Sequence, residues 1–160
     1  MGVEIERKFL VVNDDWKLQT QEAHITAMRQ GYLNSNPERV VRVRIEKNHQ
    51  TQTAMLTIKG KAVGISRGEW EYEISVEEAQ QLLQLCEQPL IEKRRHRLKM
   101  DNVVWEIDEF FGDNVGLVIA EVELQSEDQY INRPDWLGED VSLDHRYANA
   151  NLFKHPYTQW

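Results

Sequence analysis

The chain has 160 residues, enough for one domain with a real core, and its 41% hydrophobic and 29% charged content is ordinary for a soluble globular protein. Its formal net charge of −8 argues against broad binding to nucleic acid or anionic membranes, and no apolar run approaches the roughly 18 residues of a membrane span. The single cysteine, Cys86, excludes an intramolecular disulfide and any zinc site built on paired cysteines.

The first predicted strand lies within residues 1–12, where Glu4, Glu6 and Lys8 alternate with Ile5, Arg7 and Phe9. Side chains alternate across a strand, so the two acids and the lysine share one face. Asn13 and Asp14 offer N-cap oxygens, and Trp16 to Glu22 reads as a short helix or a loop. Strands follow at Ile25 to Leu33, at Arg39 to Glu46, with Arg42 and Arg44 on one face, and at Thr53 to Lys61, with Lys59 and Lys61 on one face. From Glu69 to Ser75 the acids Glu69, Glu71 and Glu73 oppose Trp70, Tyr72 and Ile74. The period then changes. Ser75 with Glu78 suits a capping box, and Val76, Ala79, Leu82, Leu83 and Cys86 recur at helical spacing, with Pro89 just beyond.

Leu90 to Met100 and Val103 to Phe110 flank Asp101-Asn102, which suits a two-residue hairpin. Lys93, Arg95, Arg97 and Lys99 share a face on the first arm, and Glu106 and Asp108 share one on the second. Val115 to Leu124 is a further strand, ending in Glu121-Val122-Glu123. Short helices are expected in Ser126 to Leu137 and in Arg146 to Phe153. No linker divides residues 1–160, so one domain of mostly antiparallel strands is expected.

An amphipathic strand normally wets its polar face, and any one of these strands alone needs no other account. The rows, however, are nearly pure in sign, and like charges at neighbouring positions repel unless opposite rows or a ligand neutralise them. A closed barrel resolves this by turning the charged rows into the lumen and the apolar rows outward beneath the helices. Basic rows then face a polyanion and acidic rows hold cations. Arginine forks and mobile lysines suit phosphate, while carboxylates suit the hard ions Mg2+ or Mn2+. Together they suit phosphoryl transfer from a polyphosphate. The histidines, His96 and His155 included, form no spaced metal motif, and no P-loop, dinucleotide turn or nucleophile elbow is present.

Glu4-x-Glu6-x-Lys8, Arg42-x-Arg44, Lys59 in Thr57-Ile58-Lys59-Gly60, Glu71-x-Glu73, Lys93-x-Arg95, Asp108 and Glu121-x-Glu123 occur in that order, with Tyr147-x-Asn149 behind them. This pattern resembles the CYTH superfamily, the triphosphate tunnel metalloenzymes. The resemblance implies an α+β fold, an eight-stranded antiparallel closed β-barrel with a charged interior and a few flanking helices. It also implies that Lys8, Arg42, Arg44, Lys59, Lys93 and Arg95 grip phosphates, and that Glu4, Glu6, Asp108, Glu121 and Glu123 hold or orient metal. Glu71 and Glu73 are expected to bind a second metal or orient the attacking water, and Tyr32 resembles a tunnel tyrosine paired with Lys8. Solvated or structural charge near the tunnel mouth is the reading for Glu69, Lys61, Arg97 and Lys99.

The short form opening Glu-Ile-Glu-Arg-Lys-Phe-Leu resembles the compact bacterial inorganic triphosphatases, which implies hydrolysis of tripolyphosphate to pyrophosphate and phosphate. The other readings are an adenylate cyclase, a thiamine-triphosphatase, or a non-catalytic polyphosphate or nucleotide sensor; the acidic rows count against the last. The N-terminus reaches acidic residues with no apolar stretch, so no secretory signal is expected and a cytoplasmic protein is. A small-molecule triphosphate is the expected partner, without nucleic acid or membrane. A homodimer is expected only because many single-domain bacterial enzymes dimerise.

Overall fold

The computed structural model describes residues 2–20 and 24–160, so the part of the Trp16 to Glu22 segment at positions 21–22 lies outside the described residues. The strands are β1 (Gly2–Val11), β2 (Ile25–Asn34), β3 (Arg39–Lys47), β4 (Gln52–Gly60), β5 (Ser66–Ile74), β6 (Glu87–Met100), β7 (Val103–Phe110), β8 (Val118–Glu123) and β9 (Leu137–Asp140). The helices are α1 (Val76–Leu85) and the single turn α2 (Asn149–Leu152). Neighbouring strands run in the order β5-β4-β3-β2-β6-β7-β8-β1-β9, and a further pairing of β5 with β1 closes the first eight into an antiparallel barrel.

The closure divides β1 in two. Gly2 to Ile5 pair with β5, Glu6 to Leu10 pair with β8, and β9 extends the β5-side edge at Phe9 and Val11. Between these partners the Glu6 N–H donates to the Ile65 carbonyl (3.1 Å) and the Lys8 N–H to Ser142 Oγ (2.9 Å), so the edge is covered along this stretch.

The apolar rows point outward, as the alternation predicts. Val43, Ile45 and Ala54 pack beneath Ala79, Leu83 and Cys86 of α1 and its C-cap. Gly31 permits that approach, because a Cβ there would meet Leu90 Cδ2 at 2.6 Å and Cys86 Cβ at 2.8 Å. Ser75 caps α1 by accepting the Glu78 N–H at 3.1 Å, but its hydroxyl donates to the Glu78 carboxylate (3.3 Å) instead of leaving that carboxylate to the cap's own N–H. A second outer cluster joins Phe9, Trp105, Ile107 and Val122 to Trp16, Ile131 and Trp136. His96 is part of this outer layer, edge-on to Trp16 with ring centroids 4.8 Å apart.

Three sequence expectations are corrected. Ser126 to Leu137 holds turns and no helix, because Pro134 lacks an N–H and disfavours helical geometry at Arg133; the segment delivers Ile131 and Trp136 to the outer cluster, then leads into β9. The strand expected from Val115 starts at Val118, because a 3-10 turn at Gly112–Asn114 and a left-handed Gly116 (φ 95°) precede it. Arg146 to Phe153 is a 3-10 turn, His145–Tyr147, followed by α2. No helix among the described residues is long and apolar enough to cross a membrane.

Candidate active site

The strand faces that carry the charged rows surround one cavity of about 420 Å³. One end is plugged. Lumen-side Leu10, Tyr32, Val40, Phe110 and Ile119 pack against Tyr147, Leu152 and Phe153 of the C-terminal segment, with the rings of Tyr32 and Phe153 stacked at 5.6 Å. Asn114 ties the plug down: its Nδ2 donates to the Leu152 carbonyl (3.3 Å) and its Oδ1 accepts the Tyr157 N–H (2.8 Å). Ala148, Asn149 and Ala150 line the cavity at this end.

All six bases singled out in the sequence line the cavity: Lys8, Arg42, Arg44, Lys59, Lys93 and Arg95. Apart from half-buried Lys8, they are buried. Arg67 and Arg97 raise the bases to eight, and Glu4, Glu6, Glu46, Glu69, Glu71, Glu106, Glu121 and Glu123 supply eight carboxylates. The wall is therefore formally neutral, and most of its charges are paired. Lys59 binds Glu4 at 3.1 Å and Glu69 at 3.3 Å, Arg95 binds Glu121 at 3.0 Å and Glu106 at 3.3 Å, and Arg97 binds Glu106 at 3.1 Å.

Asp108 does not line the cavity. It is fully buried, with Oδ1 accepting Arg95 Nε at 2.8 Å and Oδ2 accepting Arg95 NH2 at 2.9 Å, and Lys93 Nζ lies 2.8 Å from Oδ2. Burial pushes its carboxyl up, but Arg95 and Lys93 overcome this and hold it far below the usual carboxylate range. Burial pulls the Lys93 ammonium down to about 7, against the attraction of Asp108 and helped by Arg95 and Arg44.

Glu6 and Glu123 differ from the other carboxylates in having no ion pair among the described residues, and they are register partners across β1 and β8. Burial, then Glu121 and Glu4, push Glu6 up to about 8. Burial and the carboxylates Glu4 and Glu106 also push Glu123 up. Glu4, by contrast, is drawn down to about 2, because Lys59 and Arg67 outweigh its burial. Among the described residues, no three of His, Cys, Asp and Glu are gathered closely enough to hold an ion by themselves.

Arg42 lies 3.7 Å from Glu71 and donates to Thr57 Oγ1 (3.3 Å), yet its buried Nε has no partner among the described residues. Glu71 lines the cavity, is 40% exposed and accepts Thr57 Oγ1 at 3.0 Å. Glu73, next on the same face of β5, is exposed and lies outside the lining, as do the exposed Lys61 and Lys99. Tyr32 lines the cavity, but the expected pairing with Lys8 is not made. Its hydroxyl accepts Gln30 Nε2 (3.3 Å), while Lys8 Nζ donates to the Tyr147 carbonyl (3.3 Å) and lies 3.6 Å from Glu121. Burial raises the Tyr32 phenol.

Sequence reasoning missed several lining residues and one, Gln30, buried behind the lining. Arg67 lies on β5, which begins at Ser66, upstream of the strand expected from Glu69, because the chain stays extended through Gly68. Glu69 and Arg97, read as charge near the mouth, line the cavity. Gln30 shares the inner face with Tyr32 by alternation and is fully buried, but a neutral side chain gives no charge signal.

A CYTH domain sequence model matches residues 2–155. An inorganic triphosphatase of Acetivibrio thermocellus is 47% identical over 158 residues, covering 98% of this chain and 97% of that protein. An inorganic triphosphatase of Nitrosomonas europaea is 37% identical over 152 residues, covering 93% of this chain and 95% of that protein. A crystal structure of an inorganic triphosphatase superposes with a TM-score of 0.63 at 34% identity, covering 94% of this chain and 93% of that one.

Proposed function

This chain belongs to the CYTH domain family, and from that premise we propose that it hydrolyses inorganic triphosphate to pyrophosphate and phosphate with a divalent cation, Mg2+ or Mn2+. The observation that carries the reading is the convergence of six bases from β1, β3, β4 and β6 on one plugged cavity of about 420 Å³, a volume suited to a small molecule. A linear anion enters from the end away from the plug. The orphaned Nε of Arg42 gains an acceptor when phosphate oxygens arrive, and the guanidinium forks of Arg44 and Arg95 add planar donors.

With every lining carboxylate ionised the wall is neutral, and the one charge gained where Glu6 keeps its proton leaves a polyphosphate largely unneutralised, so a cation would enter with the substrate. Glu6 and Glu123, the lining carboxylates without a base among the described residues, would hold it, and Glu4 would add oxygen donors at the price of its pairing with Lys59. Water and phosphate oxygens would complete the donors such a hard cation prefers. When bound, the ion supplies charge neutralisation at the phosphate oxygens. Asp108 and Glu121 orient Lys93, Arg95 and Lys8.

Hydrolysis needs water in line with a terminal phosphorus. The oxygen–phosphorus bond forms as the bond to the leaving pyrophosphate oxygen breaks, and the bases stabilise the departing charge. Glu71, half-exposed and fixed by Thr57, is the carboxylate placed to take the water's proton. We place the protein in the cytoplasm.

Phosphate release from tripolyphosphate, ATP and thiamine triphosphate, each with Mg2+, Mn2+ or EDTA, tests the reading. Cation-dependent turnover favouring tripolyphosphate is expected. Cyclic AMP and pyrophosphate from ATP, with no phosphate from any substrate, would reassign the chain to the cyclases.

A further inference from the structure

Asn149 lines the plugged end of the cavity and is held there by two donors: Lys93 Nζ and Gln30 Nε2 each lie 3.0 Å from its Oδ1. The direction of this network is fixed by chemistry. Arginine only donates, so Arg44 Nε, 2.7 Å from Gln30 Oε1, requires the oxygen of Gln30. The Lys93 ammonium paired with Asp108 likewise donates, and takes the oxygen of Asn149. The Gln30 nitrogen is then left to donate to Asn149 and to the Tyr32 hydroxyl, as observed. Every acceptor role of Asn149 is spent on the wall, and its Nδ2, with two N–H donors, has no acceptor among the described residues.

We infer that Asn149 is a substrate-contacting residue whose Nδ2 donates to the innermost terminal phosphate of a linear polyphosphate. The inference rests on the triphosphatase reading of this cavity. The chemistry of the position favours an amide. Another base would stand against Lys93 and Arg44, and a carboxylate would repel phosphate. An amide alone accepts from two wall donors and still offers two N–H groups to an anion. Lys93 is arranged alike, with two of its three donors on Asp108 and Asn149 and the third left over. Gln30, fully buried, is a positioning residue that couples Arg44 on β3 to Asn149 in the plug.

The test compares wild type, Asn149→Ala and Asn149→Asp by kcat and KM for tripolyphosphate with Mg2+, and by the rise in Tm that tripolyphosphate gives. Asn149→Asp keeps an oxygen for Lys93 and Gln30 but loses the N–H donors, so its unliganded Tm stays at or above that of wild type. Both variants are expected to raise KM about ten- to a hundredfold and to shrink the Tm rise, as loss of hydrogen bonds to a charged acceptor does. An unchanged KM in Asn149→Ala overturns the inference. So does a wild-type KM in Asn149→Asp, which would mean that Asn149 serves only as an acceptor for the wall. Wild-type protein that neither turns over nor is stabilised by tripolyphosphate removes the triphosphatase reading first and the inference with it.

Discussion

Glu6 and Glu123 face each other directly across β1 and β8, and neither has a basic partner among the described residues. Opposed like charges on adjacent strands destabilise a sheet. Glu6 relieves this by holding its proton up to about pH 8, from an ordinary value of 4.5. Between those two values the folded protein keeps a proton that the unfolded chain has lost, so the contribution to stability is whole below about 4.5 and is lost as pH rises through about 8. In EDTA, the Tm of wild type is expected to fall relative to Glu6→Gln as pH is raised from 5 to 8 (roughly, the window set by the two values). Parallel curves across that window would show that Glu6 titrates normally.

The same pair predicts where a cation acts. In wild type, Mg2+ or Mn2+ raises Tm, more so above pH 8 than below (about the point at which Glu6 gives up its proton). Glu6→Gln or Glu123→Gln weakens cation affinity by at least the roughly 10- to 100-fold typical of losing an outer-sphere partner. Calorimetric titration of each variant with Mn2+ provides the check. Wild-type affinity in both variants would move the cation elsewhere in the cavity.

Arg42 is buried with its Nε unpartnered among the described residues, and a desolvated charge that is incompletely bonded does little for the fold. Arg42→Ala is expected to change unfolding free energy by no more than about 1 kcal/mol in either direction while lowering kcat/KM roughly 10²- to 10³-fold. Arg42→Lys recovers little, because an ammonium cannot reproduce the planar fork. Denaturant melts beside steady-state kinetics separate the two effects, and a near-wild-type kcat/KM in Arg42→Ala removes it from the substrate grip.

The barrel was legible in the sequence because charge exaggerated the two-residue period. A row such as Lys93, Arg95, Arg97 and Lys99 announces a face even though Lys99 proves exposed and only the first three line the cavity. Which rows would neutralise each other was not legible, because that depends on stagger around the closed sheet: Arg95 meets Asp108 across a register pair but reaches Glu121 from the next strand. Neutral members were silent for a plainer reason. Gln30 and Thr57 are fully buried and hydrogen-bonded to charged partners, but an amide or hydroxyl on a strand gives no excess signal. The plug was the least readable part, since its turns are held by Asn114 and by contacts with the barrel's end rather than by helical periodicity.

Asp108 offers the sharpest separation of two roles that its sequence position leaves merged. As a cation ligand it would need a free oxygen, yet both oxygens are engaged by Arg95 and Lys93 with the side chain 1% exposed. Asp108→Asn leaves two buried cations short of their partner and is expected to cost about 3–5 kcal/mol of stability, the range for breaking a buried pair from one side. Because the folded-state carboxyl lies far below its ordinary 3.8, this contribution is present above about pH 4 and is lost on acidification, so the two proteins converge at low pH. Cation affinity of the folded variant should stay within a few-fold of wild type, where Glu6→Gln loses far more. Measuring urea unfolding and Mn2+ binding on the same preparation decides the matter. A folded Asp108→Asn that loses cation affinity as severely as Glu6→Gln would restore Asp108 to the cation's coordination shell, and one that is destabilised but binds normally makes it the residue that holds Lys93 and Arg95 in place for the substrate.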